Sequence, residues 1–326
     1  MSTAAGCLAA SLLVLVLCFV RSDLTQVNYK EFNVYAEYKG NIEGIDEIDE
    51  QGMTRLMMAA KAGQYEVAKS YVNAGSNVNL TQNSTGNMAI HFSIERGHYM
   101  TSDFLIKSNS DLNYFNRQGY TPLLHAIVGK HYQIVEQLLI HRANPNVTKG
   151  NTVDGYTALM MAVQVGLIES VELLLKYNVD TNIQCALNGD NALMIASVTN
   201  KTDIVQLLLK HDALVDLKNN IGYTALTFAA MRGHVSVVKA LVNAKANMNN
   251  KDIYGLIPLD HAIKNLHDKE HEEVANYLYG QGSNEGIYRY NYAAEAMKQR
   301  QMLMNKIKEA QESLTPKPNM HIFNEL

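Results

Sequence analysis

Residues 222–250, GYTALTFAAMRGHVSVVKALVNAKANMNN, decide the fold, because the chain repeats this phrase with variations along most of its length. The phrase reads as helix, turn, helix. Thr224 is placed to cap a first helix by offering its hydroxyl to orphan backbone N–H groups. Leu226, Ala229 and Ala230 follow at helical spacing on one face, and the small alanines let another helix approach closely. Gly233 ends that helix, since a residue without Cβ tolerates positive φ. Val237, Val238, Leu241 and Val242 form the stripe of a second helix. Residues 246–251 then turn the chain back toward the next glycine. One such unit has too little core to stand alone, so it must bury its stripes against copies of itself.

The copies align on Gly52, Gly86, Gly119, Gly155, Gly189, Gly222 and Gly255. Four places on stand Leu56, Ile90, Leu123, Leu159, Leu193, Leu226 and Leu259. Seven places on stand Ala59, Ser93, Ala126, Ala162, Ala196, Ala229 and Ala262. The second helices close on Gly75, Asn109, Arg142, Asn178, Asp212 and Lys245, where a left-handed cap is expected. Gly, Asn and Asp suit that geometry; Arg142 and Lys245 fit it less well and cost stability there.

The pattern resembles the ankyrin repeat. The family's Thr-Pro-Leu-His-x-Ala signature stands here as TPLLHA at 121–126, TALMMA at 157–162 and TALTFA at 224–229, and its Gly-Ala-x-Val-Asn ending as GSNVN at 75–79 and KANMN at 245–249. The resemblance covers about residues 40–286. It implies an all-α solenoid of stacked helix–turn–helix units joined by β-turn or hairpin loops. In such an array the turns and the outward side of the first helices line a concave groove that binds other proteins.

The flanks read differently. Residues 7–20 are a mostly apolar run followed by Arg21, Ser22 and Asp23. A membrane span needs roughly 20 apolar residues, so residues 1–22 read as a signal peptide cleaved before Asp23. Residues 23–51 form an N-terminal cap or half repeat with a helix over 29–38, 52–286 the seven repeats, and 287–314 a C-terminal amphipathic helix; 315–326 is a tail. The expected location is secreted or lumenal, with a cytoplasmic or membrane-anchored chain as the alternative.

The net charge of −4 is too mild to point to nucleic acid, and none is expected as a partner; nor is a membrane once the signal is removed. Cys7 and Cys18 lie in the signal, leaving Cys185 alone and no internal disulfide. In a secretory compartment the sequons at Asn79, Asn83, Asn146 and Asn200, all in turns, become glycosylation candidates.

Departures from the pattern mark local change. Residues 148–153 lengthen one turn. Thr101 and Ser102 stand where other second helices are apolar, and that helix is expected to pack most weakly. Asn191 and Asn200 replace a capping Thr and a closing Gly. Extra residues near 265–271 bring His267 and His271 four apart beside Asp268 and Glu270. The HExxH order and a third ligand are missing, so the segment reads as a solvated loop and not a metal site. The chain contains no phosphate-binding Gly loop, nucleophile elbow, paired-Cys motif or dinucleotide fingerprint. No catalytic residue, metal or cofactor is expected, and the chain reads as a non-enzyme. His91, His98, His125 and His234 read as loop-bridging structural residues, and Met57, Met58, Met160 and Met161 as core filler.

Function is therefore expected on the groove. Tyr120, Tyr156 and Tyr223 follow the leading glycines, and Tyr254 precedes Gly255, so these rings should project along the row of turns. Tyr combines contact area with a polar tip. Val165, Ile221 and Met231 add apolar surface and Arg232 adds charge. The reading is a monomeric secreted scaffold holding a protein partner on this row; an intracellular or membrane-tethered adaptor is the alternative.

Overall fold

A computed structural model describes residues 44–148, 155–177, 179–264 and 268–283, together with 302. The leader, the helix expected over 29–38, Asn178, His267 and the C-terminal helix expected over 287–314 fall outside the described residues, apart from position 302.

Fourteen helices alternate along the described residues. The first helices of the pairs are α1 (Arg55–Lys61), α3 (Ala89–Glu95), α5 (Pro122–Val128), α7 (Ala158–Val165), α9 (Ala192–Val198), α11 (Ala225–Met231) and α13 (Pro258–Ile263). The second helices are α2 (Tyr65–Asn73), α4 (Tyr99–Lys107), α6 (Tyr132–Ile140), α8 (Ile168–Lys176), α10 (Thr202–Lys210), α12 (Val235–Asn243) and α14 (Lys269–Gly280). Each helix packs on its partner and on its counterparts in the neighbouring pairs, giving two layers. First helices meet one another more extensively than second helices do. The alanine column is the reason, as Ala59, Ala126, Ala162, Ala196, Ala229 and Ala262 are all buried between them. The core is continuous from Met53 to Leu278, as a stack that borrows its core from its neighbours requires. Among the described residues there is no strand, only one antiparallel bridge between Ile48 and Thr54.

Local chemistry fixes the helix ends. The N–H groups of Met57, Leu124, Met160 and Thr227 donate to the hydroxyls of Thr54, Thr121, Thr157 and Thr224. Asn191 takes the same role toward Met194 at 2.9 Å. Each such cap contributes about 1 kcal/mol. Where the cap residue is apolar the third helical residue reaches back, so His91 Nδ1 accepts from the Met88 N–H and Asp260 Oδ2 from the Ile257 N–H.

The turns after the first helices need positive φ. Gly63 and Gly97 show why: at φ near +70°, a Cβ would also sit 2.5–2.6 Å from the rings of His98 and His131. Asn200 takes this conformation at φ 58°, as its position predicts. The second helices close with Asn109, Arg142, Asp212 and Lys245 at φ 60–67°.

A hydrogen-bonded ladder joins successive units, as far as the sixth, through the turns that follow the second helices. Asp46 accepts from the Asn77 N–H, Asn79 from Asp111, Asn113 from Asn144, Asn146 from Asp180, Asn182 from Leu214 and Asp216 from Asn247, at 2.7–3.3 Å. Thr101 and Ser102 of α4 are buried; the Ser102 hydroxyl donates to Ser93 Oγ, while Thr101 Oγ1 has no partner. The core-filler reading needs one correction. Met57 and Met160 are buried, but Met58 is exposed and Met161 only partly covered.

Candidate protein-interaction surface

The inner strip consists of the hairpin turns and the open side of the first helices. The turns are held by side-chain oxygens three places before the glycine. Asn116 Oδ1 accepts from the Tyr120 N–H at 2.9 Å, Asn219 Oδ1 from Tyr223 at 2.8 Å, and Asp252 Oδ1 from Leu256 at 2.9 Å. Turns are then bonded to one another. The Arg117 N–H donates to the Thr85 carbonyl, Asn220 to Asn188 and Ile253 to Ile221. These bonds link the tip of the second turn to that of the third, and the tips of the fifth, sixth and seventh to one another.

The tyrosines do not project as expected. Tyr120 lies stacked on His125, and Tyr223 stands edge-on against both Phe228 and His261. Tyr120, Tyr156 and Tyr223 are each half-buried, with Tyr120 and Tyr156 packed against the core. Burial, with the charge of Asp252 nearby, pushes the Tyr223 phenol up. Tyr254, one place earlier in its turn, is 69% exposed. Of the other expected contacts, Val165 (43% exposed) and Ile221 face solvent, Arg232 is exposed and Met231 is partly covered. Sequence reading missed the exposed tips Leu187 and Ile253, and the exposed Val128 at the end of α5. The signal of Leu187 and Ile253 was available: they are large apolar residues at turn positions.

The histidines form a separate column on the loops. His98, His234 and His271 donate through Nε2 to the carbonyls of Lys61, Val198 and Met231 in the preceding unit. His131 bonds the Glu95 backbone in the same manner. His98 and His234 take the role expected of them, and His131 and His271 extend it to two histidines for which it was not expected. His271 also bonds the Asp268 carboxylate through Nδ1, so both of its nitrogens have partners within the fold. His91 is fully buried and donates to the Tyr120 carbonyl; burial and the neighbouring His125 lower its pKa to about 3. His125 is lowered by burial as well, and its Nδ1 has no partner, unlike a loop-bridging residue. Asp252, in contact with His261 at 2.8 Å, is raised by burial. Hydrogen bonds from Leu256, His261 and Tyr254 outweigh that and hold it below the ordinary range.

Two depressions open on the inner strip of the first three units. One of about 630 Å³ is lined by Met53, Met58, Lys61, Arg96 and His98 among others. A second of about 290 Å³ lies beside it against Phe92, Glu95, Gln118 and His125. Among the described residues no group of His, Cys, Asp and Glu is arranged to hold a metal, and no helix is long and apolar enough to cross a membrane. Of the sequons, Asn79 and Asn146 are rungs of the ladder, and Asn79, Asn83 and Asn200 are exposed. Cys185 is buried, and its thiol donates to Asn188 Oδ1.

Comparison with known proteins returns one family. A sequence model described as Ankyrin repeats matches three times, over residues 56–149, 147–219 and 213–287. A probable ubiquitin-protein ligase of Oryza sativa subsp. japonica is 28% identical over 60% of this chain and 39% of its own length. A putative ankyrin repeat protein of Acanthamoeba polyphaga mimivirus is 26% identical over 71% of this chain and 30% of its own. The crystal structure of the human ASB11 ankyrin repeat domain matches with a TM-score of 0.57 at 25% identity, covering 68% of this chain and 96% of that one. The chain thus spans less than half of either curated relative.

Proposed function

The chain belongs to the ankyrin repeat family, and from that premise we propose that it is a non-enzymatic scaffold holding a protein partner along its inner strip. Ankyrin repeats are protein-interaction modules, so the class of activity follows from membership. The location rests on one observation: Val128, Val165, Ile221 and Tyr254 are exposed on a strip whose turns are hydrogen-bonded in place. Apolar side chains held without freedom lose little entropy on binding, which is what an interface anchor requires. Replacing Val165 and Ile221 together by Asp tests the reading. Partner capture should fall while the melting temperature holds; capture that persists would move the site elsewhere.

Export is the setting in which we place this scaffold. Its support is the apolar run at 7–20 and the small residue before Asp23. N-terminal sequencing of the expressed protein decides between a chain beginning at Asp23 and one that keeps Met1, the latter favouring the tethered or intracellular adaptor.

A further inference from the structure

The two depressions on the inner strip share two side chains. Lys61, the last residue of α1, and Arg96, which closes α3, line both of them. Both are exposed, and among the described residues neither forms an ion pair. Lys61 is steadied on one side, since its Nζ lies over the Phe92 ring, 5.7 Å from the centroid. Its carbonyl accepts from His98 Nε2, which holds the end of α1 against the second unit. The nearby carboxylates are divided, one to each depression. Asp49 lines the first, where its Oδ1 already accepts from the Gln51 and Met53 N–H groups, and Glu95 lines the second. The remaining walls differ in character. Met53, Met58 and Ala62 give the first depression an apolar side. Gln118 and His125 make the second polar, and His125 Nδ1 has no partner.

We infer that these depressions take one acidic side chain of an extended polypeptide partner, its carboxylate between Lys61 and Arg96, with an apolar neighbour against Met53 and Met58. This rests on the binding reading above and gives one contact of that partner its place and chemistry. Two unpaired cations complement a single carboxylate, and the Arg96 fork can hold both of its oxygens. Methionines adapt to a flexible apolar side chain such as Met or Leu. Packed helices lie about 8–10 Å apart, and an extended chain rises about 3.3 Å per residue. Side chains entering the two depressions therefore stand about two to three residues apart, with the acid between them. A nucleic acid fits less well. It carries a phosphate at every nucleotide, and consecutive phosphates would lie against Asp49 and Glu95 as well as the two cations.

A random-peptide phage library selected on the full-length protein, and in parallel on its Lys61→Glu/Arg96→Glu variant, tests this. Peptides enriched on the unaltered protein should carry Asp or Glu within about three residues of Met or Leu. Their affinity should fall about tenfold or more on the double variant. The double variant should instead enrich Lys or Arg at that place, and Lys210→Glu on α10 should leave affinity unchanged. Circular dichroism melts confirm that each variant folds. Replacing the peptide's acid by its amide tests the same contact without touching the protein, and should cost as much. Peptides that lose binding with Val165→Asp/Ile221→Asp but not with the charge reversal overturn this inference and leave the inner-strip reading standing. A library with no binder sensitive to either variant overturns both. A single-stranded oligothymidylate that displaces the peptides, and itself depends on Lys61 and Arg96, overturns it in favour of a phosphate site.

Discussion

The Tyr120 ring lies nearly flat on the His125 imidazole, 5.4 Å between centroids and 13° between planes. The pair joins the turn to the first helix of the same unit. Tyr223 goes further: it meets Phe228 in its own unit and His261 in the next. The row that a sequence reader would assign to a partner is therefore already spent, in part, on the fold.

Replacing Tyr120, Tyr156 and Tyr223 by Ala should for that reason lower stability as well as any binding. Aromatic pairs contribute about 0.5–1.5 kcal/mol beyond the area they bury, so the triple variant should lose several kcal/mol. Urea melts measure this. An unchanged midpoint would return the rings to the partner alone.

Arg142 and Lys245 close their helices at φ 65° and 67°, a conformation that costs a side chain with Cβ about 1–2 kcal/mol. Glycine removes that strain but adds freedom to the unfolded chain. Arg142→Gly and Lys245→Gly should each stabilise by about 0.5–1 kcal/mol. Thermal melts showing a lower midpoint would contradict this.

Asn182 Oδ1 accepts from the Leu214 N–H at 2.8 Å, and its Nδ2 donates to the Asp212 carbonyl at 3.3 Å. Asn182→Ala should cost about 1 kcal/mol, the ordinary net value of a hydrogen bond, with water taking over part of the loss at this exposed site. Amide exchange at Leu214 should rise before that of α10.

His91 is neutral in the fold, with a pKa near 3 in place of the ordinary 6.5. Between those values the unfolded chain binds more protons than the folded one, so acidification favours unfolding. At pH 5 this ring alone should cost about 2 kcal/mol relative to neutral pH. His125, His131 and His234, all lowered by burial, act in the same direction. Denaturation at pH 7.5 and pH 5 should show the loss, and a folded His91→Leu variant should show less of it. An equal loss in that variant would place the effect elsewhere.

What the sequence made legible were backbone requirements met within a few residues: the Thr caps, the left-handed closers, and Asn191 and Asn200 standing in for Thr and Gly. Each depends on one position and its immediate neighbours. The contact of Tyr223 with His261 does not, since it crosses to the next unit and depends on how closely two first helices approach. The histidine column was half hidden for a related reason. Leu167 and Lys201 interrupt it, and the extra residues before α14 move His271 out of register. Asp46, Asn79, Asn113, Asn146, Asn182 and Asp216 looked like ordinary turn residues. Only the stacking distance shows that each holds the N–H of the unit that follows.

Those six rungs each clasp a neighbour and nothing farther away, so resistance to stretching is local. Pulled from its two ends, the molecule should part at its most weakly held joint and peel from there in steps of one hairpin's length. A force trace would then show a train of small rips in place of a single rupture.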